Sequence, residues 1–247
     1  TIAAEVVAKS AKDGHTVFVM NNAHAVSASL YASLPFRPVE DFTPVSLVAT
    51  MPLVIVAAPD MRANNVKELI ERAKAEPGRM KFASVGIGSS QHFAGELLRQ
   101  LAGVDIKHVA YRGSPAAMTA VRAKQVELLV EVVAPVLGQI RAGELKALGV
   151  TSAKRFASLP GVPTVAEAGL PAYDVTTWYG LAFPSGTSAP IIDKMHRALQ
   201  AVLTREEVRK QALDAAFLIE PSTQQEFAHF VSHEIEKWRG VMASAGI

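Results

Sequence analysis

The stretch from Lys81 to His92 constrains this chain more than any other. Met80 to Ala83 read as the end of a short buried strand. Ser84-Val85-Gly86-Ile87-Gly88-Ser89-Ser90 cannot continue it, because glycine and serine at this density favour turn geometry over a packed ladder. From Gln91 the period becomes helical, with Phe93, Leu97, Leu98 and Leu101 on one face. Strand, Gly/Ser loop and helix together aim free backbone N–H groups and the positive end of a helix dipole at one point, which suits a phosphate, sulfate or carboxylate. The same residues also serve a loop that only turns a corner. No third glycine completes a dinucleotide fingerprint and no Gly-Lys-Ser/Thr completes a P-loop, so the hint is of a small anion and not a nucleotide.

The remaining chain repeats this alternation. Helices are expected over Ile2 to Lys12, Ala25 to Tyr31, Val66 to Ala75, Ala116 to Ala123 and Pro135 to Ala142, then Ile191 to Leu203, Glu206 to Ala215 and Thr223 to Ala243. Strands are expected over Thr16 to Met20, Val45 to Ala49, Leu53 to Ala58, Ile106 to Ala110, Glu127 to Val133, Leu145 to Val150, Val175 to Phe183 and Phe217 to Ile219. The two runs around Met51-Pro52 read as separate strands. Such alternation makes a parallel sheet with right-handed crossovers the default. With 247 residues, 49% of them hydrophobic, the chain can bury roughly 70% of its unfolded surface, as one large domain or two lobes.

Charge and composition remove several classes of function. The net charge of +2 is spread without a basic stripe, and aromatic residues make up 6%, so nucleic-acid stacking platforms are scarce and no nucleic-acid partner is expected. No apolar run approaches the roughly 18 residues of a membrane span. The chain has no cysteine, which excludes disulfides, thiolate metal sites and cysteine nucleophiles. It opens at Thr1 as though in mid-helix, which reads as a processed or trimmed chain.

Candidate site residues cluster after strands, where open α/β sheets bind ligands. Asn21, Asn22 and His24 form a polar loop after the first strand. Ser84, Gly86, Gly88 and Ser89 belong to the Gly/Ser loop, and His92, in the first helical turn behind it, reads as a ligand hydrogen-bond donor or as a plain helix residue. Tyr111-Arg112-Gly113-Ser114-Pro115 is a second strand-to-helix loop, with Ser114 as cap and a fixed cation in Arg112 that suits an anion or, equally, solvent. Glu131 lies in the apolar run Leu128 to Val133, where a charge is expensive unless paired or at a cleft. Trp178 lines a cleft or fills a core. His229 and His233 share a helix face but lack the zinc-site pattern, and neither a metal nor a cofactor is expected. No Gly-x-Ser-x-Gly, nucleophile–base set or carboxylate pair is evident, so no catalytic residue is named.

Several segments together resemble one family. They are Asp13-Gly14-His15-Thr16, Ser29-Leu30-Tyr31, Asp41-Phe42-Thr43-Pro44-Val45, Ala83 to Ser89, Ala94-Gly95-Glu96-Leu97, Tyr111-Arg112-Gly113, Ala142 to Leu148, Leu159 to Gly169 and Trp178-Tyr179-Gly180. In this order along nearly the whole chain they resemble the extracytoplasmic solute receptors of tripartite tricarboxylate transporters. The resemblance implies a type II periplasmic-binding-protein fold, two α/β lobes closing on a ligand. Lobe one would be 1–57 with 177–247 and lobe two 58–176. It implies a periplasmic binding protein and not an enzyme, whose ligand is a di- or tricarboxylate, an amino acid or an aromatic acid, and whose partners are the transporter's membrane subunits. Carried over, Asn21, Asn22, His24, Ser84, Gly86, Gly88, Ser89, His92, Tyr111, Arg112 and Gly113 would line the site. By the resemblance, the family's first strand and its Pro/Gly-rich loop would be expected ahead of Thr1, and Glu131 would stand where an aspartate is common. Two rival readings are a small-molecule enzyme on an α/β fold and the effector-binding half of a transcription regulator.

Overall fold

The computed structural model describes residues 2–31 and 33–245. In chain order its elements are α1 (Ile2–Ala8), β1 (Phe18–Asn21), α2 (Asn22–Leu30), β2 (Phe42–Ala57), α3 (Val66–Ala75), β3 (Lys81–Ser84), α4 (Ser90–Ala102), β4 (Lys107–Ala110) and α5 (Ser114–Arg122). There follow β5 (Leu128–Val132), α6 (Val133–Arg141), β6 (Lys146–Val150), β7 (Thr176–Pro184), α7 (Ala189–Leu203), α8 (Glu206–Asp214), β8 (Leu218–Ile219) and α9 (Gln224–Ala245). Capping sets several of these starts. Asn65 accepts from Glu68 N, and the Glu68 carboxylate reaches back to Asn65 Nδ2, so side chains and backbone close the first turn of α3 from both directions. Gly103, at φ +62, ends α4 in a left-handed conformation that a side chain would disfavour.

The chain divides into two compact units. One comprises the residues up to Thr50 together with those from Trp178 onward, the other Met51–Thr177. In the first unit β1 pairs antiparallel with β7, and Ala49 and Thr50 of β2 pair with β8. Its core gathers around Trp178, Phe227, Trp238 and Phe183, all with no exposed surface. Gly180 is required there, because a Cβ on it would lie 2.1 Å from the Phe227 ring.

In the second unit β2 lies between β5 and β6 and antiparallel to both, while β3 runs parallel to β4 and to β5. The strand order is therefore β6-β2-β5-β3-β4. The sheet is mixed and not parallel throughout: β3, β4, β5 and β6 share one direction and β2 opposes them. A sequence alternation fixes that helices cross between strands, but not which strand is inserted where. The core is aliphatic, with Leu53 to Ala57, Leu128 to Val130 and Val150 essentially unexposed. Parallel strands covered on both faces need such continuous apolar runs.

The pair of strands expected around Met51-Pro52 is one strand of 16 residues. Proline lacks the N–H a ladder needs. Here it is tolerated because the β8 register ends at Thr50 and the β5 register begins at Leu53, so Pro52 lies outside both. The helix expected up to Lys12 stops at Ala8, and Thr1, where the chain was read as opening in mid-helix, lies outside the described residues. Helix α2 begins at Asn22, not Ala25. Ser114 does not cap α5: the cap position falls on Gly113, at φ +91, with no side-chain hydrogen bond.

Candidate functional site

Three neighbouring strands of the second unit end at one edge, each leading into a helix. The parallel registers put Ser84 of β3 level with Ala110 of β4, and Ala83 level with Leu129 of β5. Beyond those points come the loop to α4, the loop Tyr111-Arg112-Gly113 to α5, and Glu131, separated from α6 by its cap residue Val132. The Tyr111 N–H donates to Ser84 O at 2.9 Å, tying the first two loops together. The N-termini of α4, α5 and α6 thus share one sheet edge. Each carries backbone N–H groups without helical acceptors and a positive dipole end, so the edge favours negative charge.

The Gly/Ser loop is built by its own side chains. Ser84 Oγ donates to Gly86 O and accepts from Gly86 N. Ser89 Oγ donates to the same Gly86 carbonyl at 2.7 Å and accepts from His92 N, capping α4. Gly86 and Gly88 have φ of +147 and +80, where a Cβ would be strained. Ile87 between them is 77% exposed.

His92 is turned inward. It is buried, and its Nδ1 accepts from Gly88 N at 3.3 Å. Its ring stacks on His108 of β4 with centroids 4.0 Å apart. His108 Nε2 is in turn 2.7 Å from Ser84 Oγ. Burial, followed by the Arg99 charge, lowers the pKa of His92. Burial also takes His108 down to about 4, helped by the charges of His92 and Arg99. The buried Glu96 carboxyl is pushed up by desolvation against the pull of Arg99, with which it pairs.

Glu131 is wholly buried. One carboxylate oxygen accepts from Gln91 Nε2 at 2.7 Å and from Val132 N at 2.8 Å. The other has no hydrogen-bond partner among the described residues. Arg112 is exposed. The second unit therefore brings Ser84, Gly86, Gly88, Ser89, His92, Tyr111, Arg112, Gly113 and Glu131 to one sheet edge. His108, Gln91 and Glu96 belong there too. Their sequence signal was weak, because the pairing of His108 with Phe82 depends on a strand register that no single-chain pattern displays.

The expected residues of the first unit lie mostly in its interior. Asn21 ends β1, and its side chain caps α2 by accepting from Ala23 N. Asn22 is buried and accepts from Trp238 Nε1. His24 is a core histidine: its ring packs against Phe18, Phe36 and Phe42, and its Nε2 lies 2.8 Å from Pro38 O. Burial, ahead of other causes, lowers its pKa. Trp178 is fully buried and donates to Glu234. The reason is local: α2 starts three residues earlier than its apolar period suggests, which converts a polar loop into the buried first turn of a helix. Asn21 and His24, with Phe18, Ser27 and Ala3, line a cavity of about 220 Å3 within this unit.

Residues 1–247 match the profile of the tripartite tricarboxylate transporter family receptor. The chain belongs to that family. BugT of Bordetella pertussis (strain Tohama I) is 33% identical over 247 residues, an alignment covering 99% of this chain and 76% of BugT. Among solved structures, R. palustris Rpa4515 with adipate superposes with a TM-score of 0.83 and 30% identity, covering 100% of this chain and 83% of that one. MatC (Rpa3494) from Rhodopseudomonas palustris with bound malate gives 0.78 and 31%, covering 98% and 83%. The periplasmic binding protein BugD gives 0.79 and 30%, covering 100% and 83%. The fold of this family receptor is the two-lobed, type II fold of periplasmic binding proteins, and its role is solute binding and not catalysis.

Proposed function

We propose that this receptor works in the periplasm, captures a small carboxylate, and delivers it to the membrane subunits of a tripartite transporter. The observation that carries the reading is the shared edge of β5, β3 and β4, where three helix N-termini, each the positive end of a helix dipole, gather at the ends of their strands. Such an edge holds a carboxylate by neutral donors without requiring a full counter-charge. Ser84, Gly86, Gly88 and Ser89 shape the first loop, Tyr111 to Gly113 form the second, and exposed Arg112 adds a fixed cation. The partner-free oxygen of Glu131 would accept from a hydroxyl or ammonium group of a bound acid. Two relatives solved with adipate and malate support the ligand class. Asn22, His24 and Trp178 support the first unit's core, and of its expected residues Asn21 alone keeps partly exposed surface.

The test is a thermal-shift panel of mono-, di- and tricarboxylates, amino acids and aromatic acids. A ligand at about 100 times its Kd stabilises by about 2.7 kcal/mol, which raises Tm by about 5–10 °C for a chain of this size. If no acid in the panel raises Tm, the carboxylate reading falls.

A further inference from the structure

The Gly/Ser loop rests on a pair of imidazoles, and its hydrogen bonds specify their protonation. Gly88 N donates to His92 Nδ1, so that nitrogen must carry a lone pair. The His92 proton therefore resides on Nε2, which points toward Glu96 Oε1 at 3.8 Å. Against the other face of the ring lies His108, at 4.0 Å between centroids and 29° between planes. His108 Nε2 meets Ser84 Oγ, the hydroxyl that also engages Gly86 through both its N–H and its carbonyl. Two glycines of the loop are thus each one hydrogen bond from an imidazole network: Gly88 through His92, and Gly86 through Ser84 and His108.

We infer that His92, backed by His108, is a positioning residue for ligand capture: its unprotonated Nδ1 fixes the Gly88 N–H and with it the Gly86–Ser89 turn. The inference rests on the carboxylate reading above and adds a condition to it, that capture requires both rings uncharged.

The chemistry of the neighbourhood points the same way. An imidazolium donates from both nitrogens, so protonating His92 replaces an acceptor by a donor facing the Gly88 N–H. Two stacked imidazolium rings would repel. The charged groups facing the pair are Glu96 and Arg99, both on α4, and they are paired with each other. β4 contributes His108 itself, with Lys107 exposed, and β3 contributes Phe82 and Ser84, neither charged. Glu131 of β5 is held by Gln91, one residue before His92. Burial and the Arg99 cation both disfavour a proton on either ring.

Two variants separate positioning from folding. His92→Asn keeps an acceptor oxygen near the place of Nδ1 but cannot gain a proton, whereas His92→Leu offers no acceptor. The probes are malate and adipate, titrated calorimetrically from about pH 7.5 to about pH 4.5, across the range in which histidine gains charge. The Gly88 amide and the His92 ring nitrogens are followed by NMR over the same range without ligand. In the parent protein the Gly88 amide shift should move together with the His92 ring, and affinity should drop about tenfold as it does so, the equivalent of one hydrogen bond to an ionised ligand. His92→Asn should bind within about threefold of the parent at neutral pH and lose the acid-dependent drop. His92→Leu should bind about tenfold more weakly at every pH, with unchanged circular dichroism. His92→Asn following the parent's pH profile, or His92→Leu binding as tightly as the parent, overturns the positioning role while leaving carboxylate capture intact. A Gly88 amide shift that stays flat while the His92 ring titrates overturns the positioning role whichever acid is bound, while the carboxylate reading stands or falls with the wider thermal-shift panel.

Discussion

Glu234 gives the sharpest test of how the first unit is held together. The chain has two tryptophans, and both direct their indole N–H at Glu234 Oε2, Trp178 at 3.1 Å and Trp238 at 3.0 Å. Both indoles are fully buried, and Glu234 is 3% exposed, with Lys237 paired to its other oxygen. Replacing it by methionine keeps the length and removes the acceptor. Trp238 retains Asn22 Oδ1 at 2.9 Å. Trp178 has no second acceptor among the described residues, so Glu234→Met leaves one buried N–H orphaned, a cost of about 1–3 kcal/mol. Returning a buried carboxylate's desolvation offsets part of the lost bonding. A net loss of about 2 kcal/mol follows, or about 4–8 °C in Tm. The assay is urea unfolding followed by tryptophan emission, since both reporters belong to this unit. Glu234→Gln, which keeps an acceptor oxygen, should lose less than half as much. If Glu234→Met unfolds at the parent urea concentration, the indole–carboxylate bonds contribute nothing net and the reasoning fails.

Three further outcomes are expected. Gly180→Ala should destabilise by about 1–3 kcal/mol, read as a lower Tm, because its Cβ meets the unexposed Phe227 ring; an unchanged Tm would show that the ring shifts freely. Thr151→Val should cost about 2–4 kcal/mol, because Thr151 Oγ1 accepts from Leu53 N and donates to Val175 O inside the second unit; equal stability would mean that neither group depends on it. Acid should weaken the fold: His24, His92 and His108 all have lowered folded-state pKa values, so their contribution is complete above the unfolded value near 6.5 and is lost as pH falls toward about 4 for His108. Glu96, raised by burial, works in the opposite sense as pH climbs through the carboxyl range. A urea midpoint that stays flat between about pH 7 and about pH 4.5 would contradict the inward placement of the histidines.

Local chemistry wrote much of this fold legibly. Asn65 announces α3, Gly103 ends α4, and the shift from apolar run to Gly/Ser loop at Ser84 marks the end of β3. What stayed illegible depends on partners distant in sequence. Pro52 reads as a break until the two ladders are seen to meet on either side of it. Trp178 reads equally well as cleft or core until Glu234, 56 residues later, supplies its acceptor. His24 follows a polar Asn-Asn pair, yet three phenylalanines enclose it. In the candidate site, the loop residues were visible because glycine and serine have local reasons to be there. His108 was not, because its role comes from lying across β3 beside His92.

The edge formed by β5, β3 and β4 has a consequence for how such receptors diversify. Its attraction for anions comes from peptide groups, and point substitution cannot delete a peptide N–H except by introducing proline. The charge preference of the edge is therefore buffered against drift in the surrounding side chains. On the proposed carboxylate reading, discrimination among acids would fall instead to the few side chains that stand there, Ile87, Arg112 and Glu131 among them. On that reading, a change at one of these would retune which acid is accepted without rebuilding the grip on its carboxylate.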